Sequence, residues 1–574
     1  MPILCKRSWS HIRIWCQVKG ILDQPNLAVL RVNKELSVYL FCLSNTTVTI
    51  TTSFIYPKLD EMMSLDAELG TAWRLACVIA ALYSIYILGL VVYRLTFHPL
   101  AKFPGPLLCR ISYLPQAYYE AILQGKFIHE IPKYHQKYGP IVRLSPHEVH
   151  VNDISVFHEI FNRNRGFTKD PITYSVGSNN AMTMTIPVEA HRAKRQVLDP
   201  VFSKRRINAM ESSIYDEIDR VFEKVDQFRK IGEEVPIHQL FYCYTADIVS
   251  ELLFGKSLDM VSAPDFRIKV KDMQFFTSGV WVALHFTYLR HMITEGPRWL
   301  ATYLSATYIK MITYFEHLAK EALAQYDQDK AFQKEEHEET IFDRMVTNNQ
   351  RRREKDPAIK PLEFRDLADE SAMILNGGTE PPANQMAYAT YHFLKYPRVQ
   401  QRIMEELSSI DLDDRGRLPL RKTEQLPYFT SFVKESLRHA TLIPGRLPRR
   451  IPKGGLYVPS ANVTIPEGYA VGISHDLLHR DPKIFPEPNE FRPERWLGEP
   501  GKELMHWLVS FSWGRTDCIG KNLAWAEMYL MLANLFSRYE LELASDADEV
   551  MKWEDRVIMH PHGFLHVKAK ARAA

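Results

Sequence analysis

Nineteen consecutive residues without a charge, Leu75 to Tyr93 (LACVIAALYSIYILGLVVY), divide this chain and limit what it can become. The run is apolar on every side, so no single face marks it as an amphipathic surface helix. At about 1.5 Å per residue it nearly spans a hydrocarbon core of about 30 Å. Only a helix satisfies its own backbone in that setting. A buried core helix is the alternative, but the Pro-rich stretch that follows argues for an anchor over 75–93. Asp60, Glu61, Asp66 and Glu68 precede the run, with Arg74 at its edge; Arg94, His98 and Lys102 follow it. Positive charge marks the cytoplasmic side, which predicts one crossing with the large C-terminal part in the cytosol.

That part is long enough for a sizeable core. The net charge of the 574-residue chain is +3, which argues against a nucleic-acid partner. Seven cysteines are scattered at positions 5, 16, 42, 77, 109, 243 and 518, with no zinc-site or disulfide spacing. A reducing compartment is expected for the main domain.

One of those cysteines lies in a loop of distinct chemistry, Phe511-Ser512-Trp513-Gly514-Arg515-Thr516-Asp517-Cys518-Ile519-Gly520. An amphipathic run, Lys521 to Tyr539, follows and reads as a helix. Cys518 then faces unpaired N–H groups and the positive end of the helix dipole, which favour a thiolate. Gly514 and Gly520 leave room for close backbone approach and a sharp turn. Phe511 can pack beside the sulfur and keep water away. Upstream stand Glu435-Ser436-Leu437-Arg438 and Phe491-Arg492-Pro493-Glu494-Arg495-Trp496. These three motifs, in this order, resemble the haem loop, the Glu-x-x-Arg pair and the Pro-Glu-Arg segment of the cytochrome P450 family. The resemblance runs from about Tyr93 to the C-terminus. It implies a mostly α fold with a small β part, preceded by the transmembrane helix, and Cys518 as axial ligand of haem b iron.

The remaining segments are read against that resemblance. His98-Pro99-Leu100 through Pro106 resembles the stiff linker, here 94–106, between the anchor and a haem-thiolate domain at 107–574. Alternation on either side of Ser145-Pro146 predicts two short paired strands. Gly166 to Pro187 is loop-like and falls where the family's substrate-contacting loop lies. His191 and Arg195 are four apart on an expected helix and share a face; the resemblance implies that they hold haem propionates, as Arg449 in Leu447-Pro448-Arg449 would. Arg450 is the neighbouring candidate. Residues 205–325 read as several helices, and the charge-dense stretch Asp327–Lys360 as a mobile, solvated connection. Leu362–Tyr396 reads as a long helix broken near Pro381. Within it Gly377-Gly378-Thr379-Glu380 resembles the family's oxygen-binding groove, with Pro381 where the family has an alcohol. Glu380, supported by Thr379 and Asn384, is the expected proton carrier. Glu435, Arg438 and Arg495 are expected to join; an exposed i,i+3 pair alone would contribute only about 0.3–0.5 kcal/mol. In the haem loop the family's Arg two residues before the cysteine is replaced by Thr516, and Arg515 stands one position earlier.

The implied activity is a membrane-bound haem-thiolate monooxygenase of the endoplasmic reticulum. It would take electrons from NADPH-cytochrome P450 reductase and insert one atom of O₂ into a small hydrophobic molecule. The linker and overall pattern look like fungal members, active on terpenoids or polyketides. Two other readings stand beside it: a haem-thiolate isomerase or dehydratase that needs no NADPH and no alcohol at 381, and a non-catalytic haem sensor, against which Glu380 argues. Residues 1–61 fit none of this. Met62-Met63 looks like an ordinary start, so the extension is expected to arise from a misplaced start codon. Were it real it would be lumenal, with Asn45-Thr46-Thr47 a glycosylation acceptor.

Overall fold

The structure, a computed structural model, describes residues 27–33, 36–43, 47–49, 56–174, 177–331 and 339–572, with side chains from Trp73 onward apart from 275–278 and 328–331. Residues 1–26 lie outside the described residues, as do Asn45 and Thr46 of the expected glycosylation acceptor. The chain divides into two units, 1–90 and 91–574.

In the first unit, strands Leu27–Asn33, Leu36–Leu43 and Thr47–Thr49 pair antiparallel. A helix starts at Tyr56 and continues to Thr96. Its Trp73–Thr96 stretch is long and apolar enough to cross a membrane and contains the run expected at 75–93.

The second unit is mostly helical, and its core forms around three helices. Ile237–Phe254 is buried at every position but Glu251, its polar side chains His238, Gln239, Thr245, Asp247 and Ser250 included. It packs along Phe364–Lys395, which in turn packs on Lys521–Arg538. Phe393 and Phe536 stack between the last two, centroids 3.7 Å apart. The expected break near Pro381 is absent: Phe364–Lys395 is one helix with Pro381 and Pro382 inside it. Each proline lacks an N–H and crowds the carbonyl four residues back. Those carbonyls belong to Gly377 and Gly378, and a Cβ at Gly377 would have nothing within 4 Å, so the backbone has room to adjust. At Gly378 a Cβ would lie 2.6 Å from Val249 Cγ2, which explains how closely the Ile237–Phe254 helix approaches.

The segment expected to be a mobile connection, Asp327–Lys360, is largely helical where described; residues 332–338 lie outside the described residues. Thr340 and Asp343 form a reciprocal capping box that starts the helix Ile341–Lys355. Ile341, Phe342 and Val346 give it a narrow buried face, and its basic end points outward.

A five-stranded sheet lies in spatial order Ile141–Arg143, Glu148–Val151, Ala470–Gly472, Arg449–Arg450, Thr168–Lys169. The first two are the antiparallel pair expected around Ser145-Pro146. At the far edge Lys169 is the register partner of Arg449, so the sheet sets two cations side by side.

Candidate haem-thiolate site

The cysteine loop is closed by its own backbone: the Cys518 N–H donates to the Phe511 carbonyl at 2.8 Å. Gly514 makes the turn, with φ +78°, and a Cβ there would lie 1.9 Å from the Phe161 carbonyl oxygen. Glycine is therefore required at 514. Gly520 differs. Its φ of −82° suits any residue, and its Cβ would sit 4.0 Å from Cys518 Sγ. What Gly520 keeps bare is the space beside the sulfur. Phe511 packs on Trp525 of the following helix, centroids 5.9 Å apart.

Cys518 is exposed, yet enough protein surrounds its sulfur for burial to act on it. That burial pushes its thiol pKa up, and Asp517 adds to it; the Gly520 N–H, Arg195 and Lys521 oppose the rise without reversing it. The helix start and backbone donor expected to favour a thiolate are present, but alone they do not overcome desolvation. A coordinated cation would supply the missing stabilisation.

Beside the loop is a recess lined by Lys169, His191, Arg449, Arg515 and Thr516 among apolar neighbours, with no carboxylate. Arg449 donates to Tyr174 Oη at 2.8 Å, the Leu447 carbonyl at 2.8 Å and Thr516 Oγ1 at 3.1 Å. Arg515 donates to the Phe167 carbonyl at 2.6 Å. Lys169 Nζ is held by the carbonyls of Met182, Thr183 and Thr185, and the buried Glu370 carboxylate offsets part of its charge. Burial, with Arg449 next, pushes Lys169 down to about 7. Burial and then Lys169 push His191 down to about 4, and its Nδ1 has no partner. A group of like charges that depress one another's protonation is a site for anionic groups, and the two carboxylates of a haem fit it.

Of the residues expected here, His191, Arg449 and Arg515 come together in the recess. Arg195 is not among the lining residues, though its charge bears on Lys169 and His191. Its guanidinium is taken up by the Asp517 carbonyl and carboxylate, at 2.5 and 2.9 Å, and by Asp199 at 2.9 Å. It braces the cysteine loop instead. Arg450 lies 3.6 Å from Asp170. Lys169 was not singled out in the sequence; only its register opposite Arg449 reveals it.

The groove residues form a second group. The Thr379 hydroxyl donates to the Leu375 carbonyl at 2.6 Å, within its own helix. Asn384 Oδ1 accepts from His238 Nε2 at 2.9 Å and Tyr242 Oη at 3.1 Å, while its Nδ2 donates to the Met559 carbonyl at 2.9 Å. Glu380 is buried, with His560 Nδ1 3.4 Å from its Oε1. Tyr242, His238 and His560 carry no sequence signal, because each reaches α-helical residues more than a hundred positions away.

The Glu-x-x-Arg pair lies behind the cysteine loop and is fully buried. Glu435 accepts from Arg438 Nη2 at 2.7 Å and Nε at 2.8 Å, and from Arg495 Nε at 3.1 Å. The Arg492 N–H and Trp496 Nε1 complete its shell at 2.9 Å each. The expected three-way junction is present. Ser510 Oγ, at the edge of the loop, donates to the Leu437 carbonyl at 2.9 Å and ties the junction to the cysteine.

Comparison with known proteins agrees with this arrangement. The cytochrome P450 family model matches residues 104–567. Cytochrome P450 monooxygenase BOT1 of Botryotinia fuckeliana is 30% identical over 505 residues, covering 86% of this chain and 95% of that protein. Cytochrome P450 monooxygenase TRI4 of Trichoderma arundinaceum is 32% identical over 460 residues, 79% of this chain and 86% of that protein. Cytochrome P450 monooxygenase aneF of Aspergillus aculeatus is 28% identical over 493 residues, 84% of this chain and 97% of that protein. With an accessible cysteine just before a helix start, a cationic recess beside its loop, and a family match over most of its length, the chain belongs to the cytochrome P450 family and is a haem-dependent monooxygenase.

Proposed function

We propose that this enzyme inserts one oxygen atom into a small hydrophobic metabolite of the terpenoid or polyketide class. Its cofactor is haem b, and NADPH-cytochrome P450 reductase supplies the electrons. The single observation that carries the cofactor reading is the accessible Cys518 beside a recess lined by Lys169, Arg449 and Arg515 with no carboxylate. The fungal origin of the named relatives supports the substrate class, and their description as monooxygenases favours oxygen insertion over isomerisation or haem sensing.

When bound, the haem supplies oxygen binding and activation. The chain's part is to hold and to feed. Cys518 Sγ would ligate the iron; Arg449, Arg515 and Lys169 would hold the cofactor's carboxylates, and His191 would donate a hydrogen bond there. Glu380 carries protons to the groove, and Asn384 fixes the helix that presents it. Thr379, whose hydroxyl donates to the Leu375 carbonyl, supports it as an acceptor. The Trp73–Thr96 stretch anchors the enzyme in the endoplasmic reticulum membrane, with Arg94 and Lys102 marking the cytosolic side.

Two experiments test the reading. The enzyme, with reductase and NADPH, is incubated with a fungal metabolite extract, and one component should gain a single oxygen atom. In parallel, the reduced carbon monoxide complex should show thiolate-type absorption that Cys518→Ser abolishes; a normal band in Cys518→Ser refutes the ligand assignment. Glu380→Gln should cut product per NADPH and divert electrons to peroxide, whereas Pro381→Thr should improve that ratio or leave it unchanged.

A further inference from the structure

Glu380 lies at the inner end of a line of titratable side chains that leads to solvent. Its side chain is 3% exposed, and that of His560, 3.4 Å away, is 13% exposed. His560 stands on the strand Ile558–Pro561, opposite Glu554 in register on Trp553–Arg556. Register partners share a face, with Cβ atoms about 4.5–5.5 Å apart. Glu554 is 16% exposed and lies 3.8 Å from His562, itself 41% exposed. Exposure therefore rises step by step from Glu380 through His560 and Glu554 to His562.

We propose that this C-terminal hairpin is the proton route to Glu380, with His560 as the residue that hands protons to it. The inference rests on the reading of Glu380 as the groove's proton carrier. Each turnover of a monooxygenase consumes two protons, and they come from bulk water. In the step itself, protonated His560 gives its Nδ1 proton to Glu380 Oε1. Imidazolium and carboxylate become imidazole and carboxylic acid, and the imidazole takes its next proton from the Glu554 side. His560 touches no reacting atom; it acts through Glu380.

The other neighbours of Glu380 do not serve. Burial, and then the Glu380 charge with a hydrogen bond to Glu380, hold the Tyr242 phenol well above its usual range, so it steadies Glu380 without releasing its own proton. Burial holds His238 down at about 4, so it is neutral, and its Nε2 proton is committed to Asn384 Oδ1. Asn384 does not titrate. An imidazole near neutral pH both takes and gives protons. The 3.4 Å separation is long for a hydrogen bond, as such contacts are in enzymes without substrate. The hairpin is held in place by its own bonds: Asn384 Nδ2 grips the Met559 carbonyl, and the Met559 N–H donates to Leu442 at 2.7 Å. This geometry also offers a reason why the groove can dispense with an alcohol at 381.

The test uses the full-length enzyme with reductase, NADPH and its substrate. His560→Gln keeps a hydrogen bond but cannot carry a charge. It should lower product per NADPH by about tenfold and raise peroxide, with the thiolate-type carbon monoxide band and substrate affinity intact. A titratable replacement separates relay from scaffold: His560→Asp should keep more of the product per NADPH than His560→Gln does. The charged and titratable groups facing His560 are Glu380, Glu554 and, beyond them, Tyr242, His238, His566 and Arg556. Glu554→Gln should lower the ratio in the same direction. A wild-type ratio in His560→Gln, or no gain of His560→Asp over His560→Gln, overturns the route. Should His560→Gln fail to bind haem, Glu554→Gln decides: a wild-type ratio there overturns the route as well. If Glu380→Gln is uncoupled while His560→Gln is not, only this inference falls; if Glu380→Gln is itself fully coupled, the Glu380 reading falls first.

Discussion

Replacing Glu435 by glutamine removes one charge and changes almost no volume, so its effect isolates the buried junction. Five donors converge on this carboxylate. Oε1 takes Arg438 Nη2, the Arg492 N–H and Arg495 Nε, while Oε2 takes Arg438 Nε and Trp496 Nε1. A glutamine would place its oxygen where three donors meet, leaving its NH₂ against Arg438 Nε and Trp496 Nε1. Two stranded donors cost about 1–3 kcal/mol each. Breaking a buried ion pair by removing one partner costs about 3–5 kcal/mol, which agrees. A change near 4 kcal/mol is a large part of the about 5–15 kcal/mol that holds a folded protein together. A chain of this size does not unfold in two states, so the quantity to follow is a half-life. The assay is loss of the reduced carbon monoxide band at fixed urea. Glu435→Gln should shorten the half-life by two orders of magnitude or more, whereas Glu424→Gln, whose partner Lys204 is exposed, should leave it where it was. The pH dependence has a defined sign. Arg438, ahead of Arg495, holds the Glu435 pKa below its usual 4.5 despite burial. A carboxyl depressed on folding contributes stability above the unfolded value and loses it as pH falls through the folded one. The wild-type advantage should therefore shrink only below about pH 4.5. Equal half-lives for Glu435→Gln and wild type at pH 7 would refute the account.

Other outcomes follow from the same geometry. Gly514→Ala should yield little haem-loaded protein, because its Cβ would meet the Phe161 carbonyl at 1.9 Å; Gly520→Ala, with 4.0 Å to spare, should load haem yet shift the carbon monoxide band. Arg449→Gln should release haem to an acceptor protein at least about tenfold faster, the loss of one charged hydrogen bond; an unchanged release rate would remove Arg449 from the cofactor's contacts. The full-length protein should stay in the membrane pellet through a high-salt wash, and deletion of residues 1–93 should leave a domain that high salt releases. Recovery of the full-length protein in the soluble fraction after simple lysis would refute the anchor.

What the sequence disclosed depended on how far apart the cooperating residues lie. The cysteine loop and the Glu435–Arg438 pair are short-range patterns, so glycine spacing and helical period reveal them. The recess gathers residues 169, 191, 449 and 515 from distant segments. Three were flagged by position, whereas Lys169, a lone lysine in a loop, acquires meaning only as the strand partner of Arg449. Arg195 shares a helix face with His191, but Asp517 and Asp199 claim its charge, and a helical period says nothing about competing carboxylates. The prolines at 381 and 382 read as a break because a proline usually ends a helix; glycines four residues back relieve the crowding that causes it. In Ile341–Lys355 a run of basic residues concealed a three-residue apolar face. His560 and Tyr242 could not be connected to Glu380 at all before the hairpin and the Ile237–Phe254 helix were in place.

The recess of unbalanced cations has a consequence outside the reaction. Arg449 and Arg515 depress the protonation of Lys169 there, and Glu370 and Glu189 offset only part of it, so the haem-free chain folds against some of its own repulsion. The cofactor's carboxylates relieve it, and a ligand that binds only the folded form shifts the folding equilibrium toward that form. Newly made chains that have not met haem are the ones chaperones hold and proteases remove. The amount of this enzyme in a cell should therefore follow the haem supply, and a starved cell will lose the protein while its messenger persists.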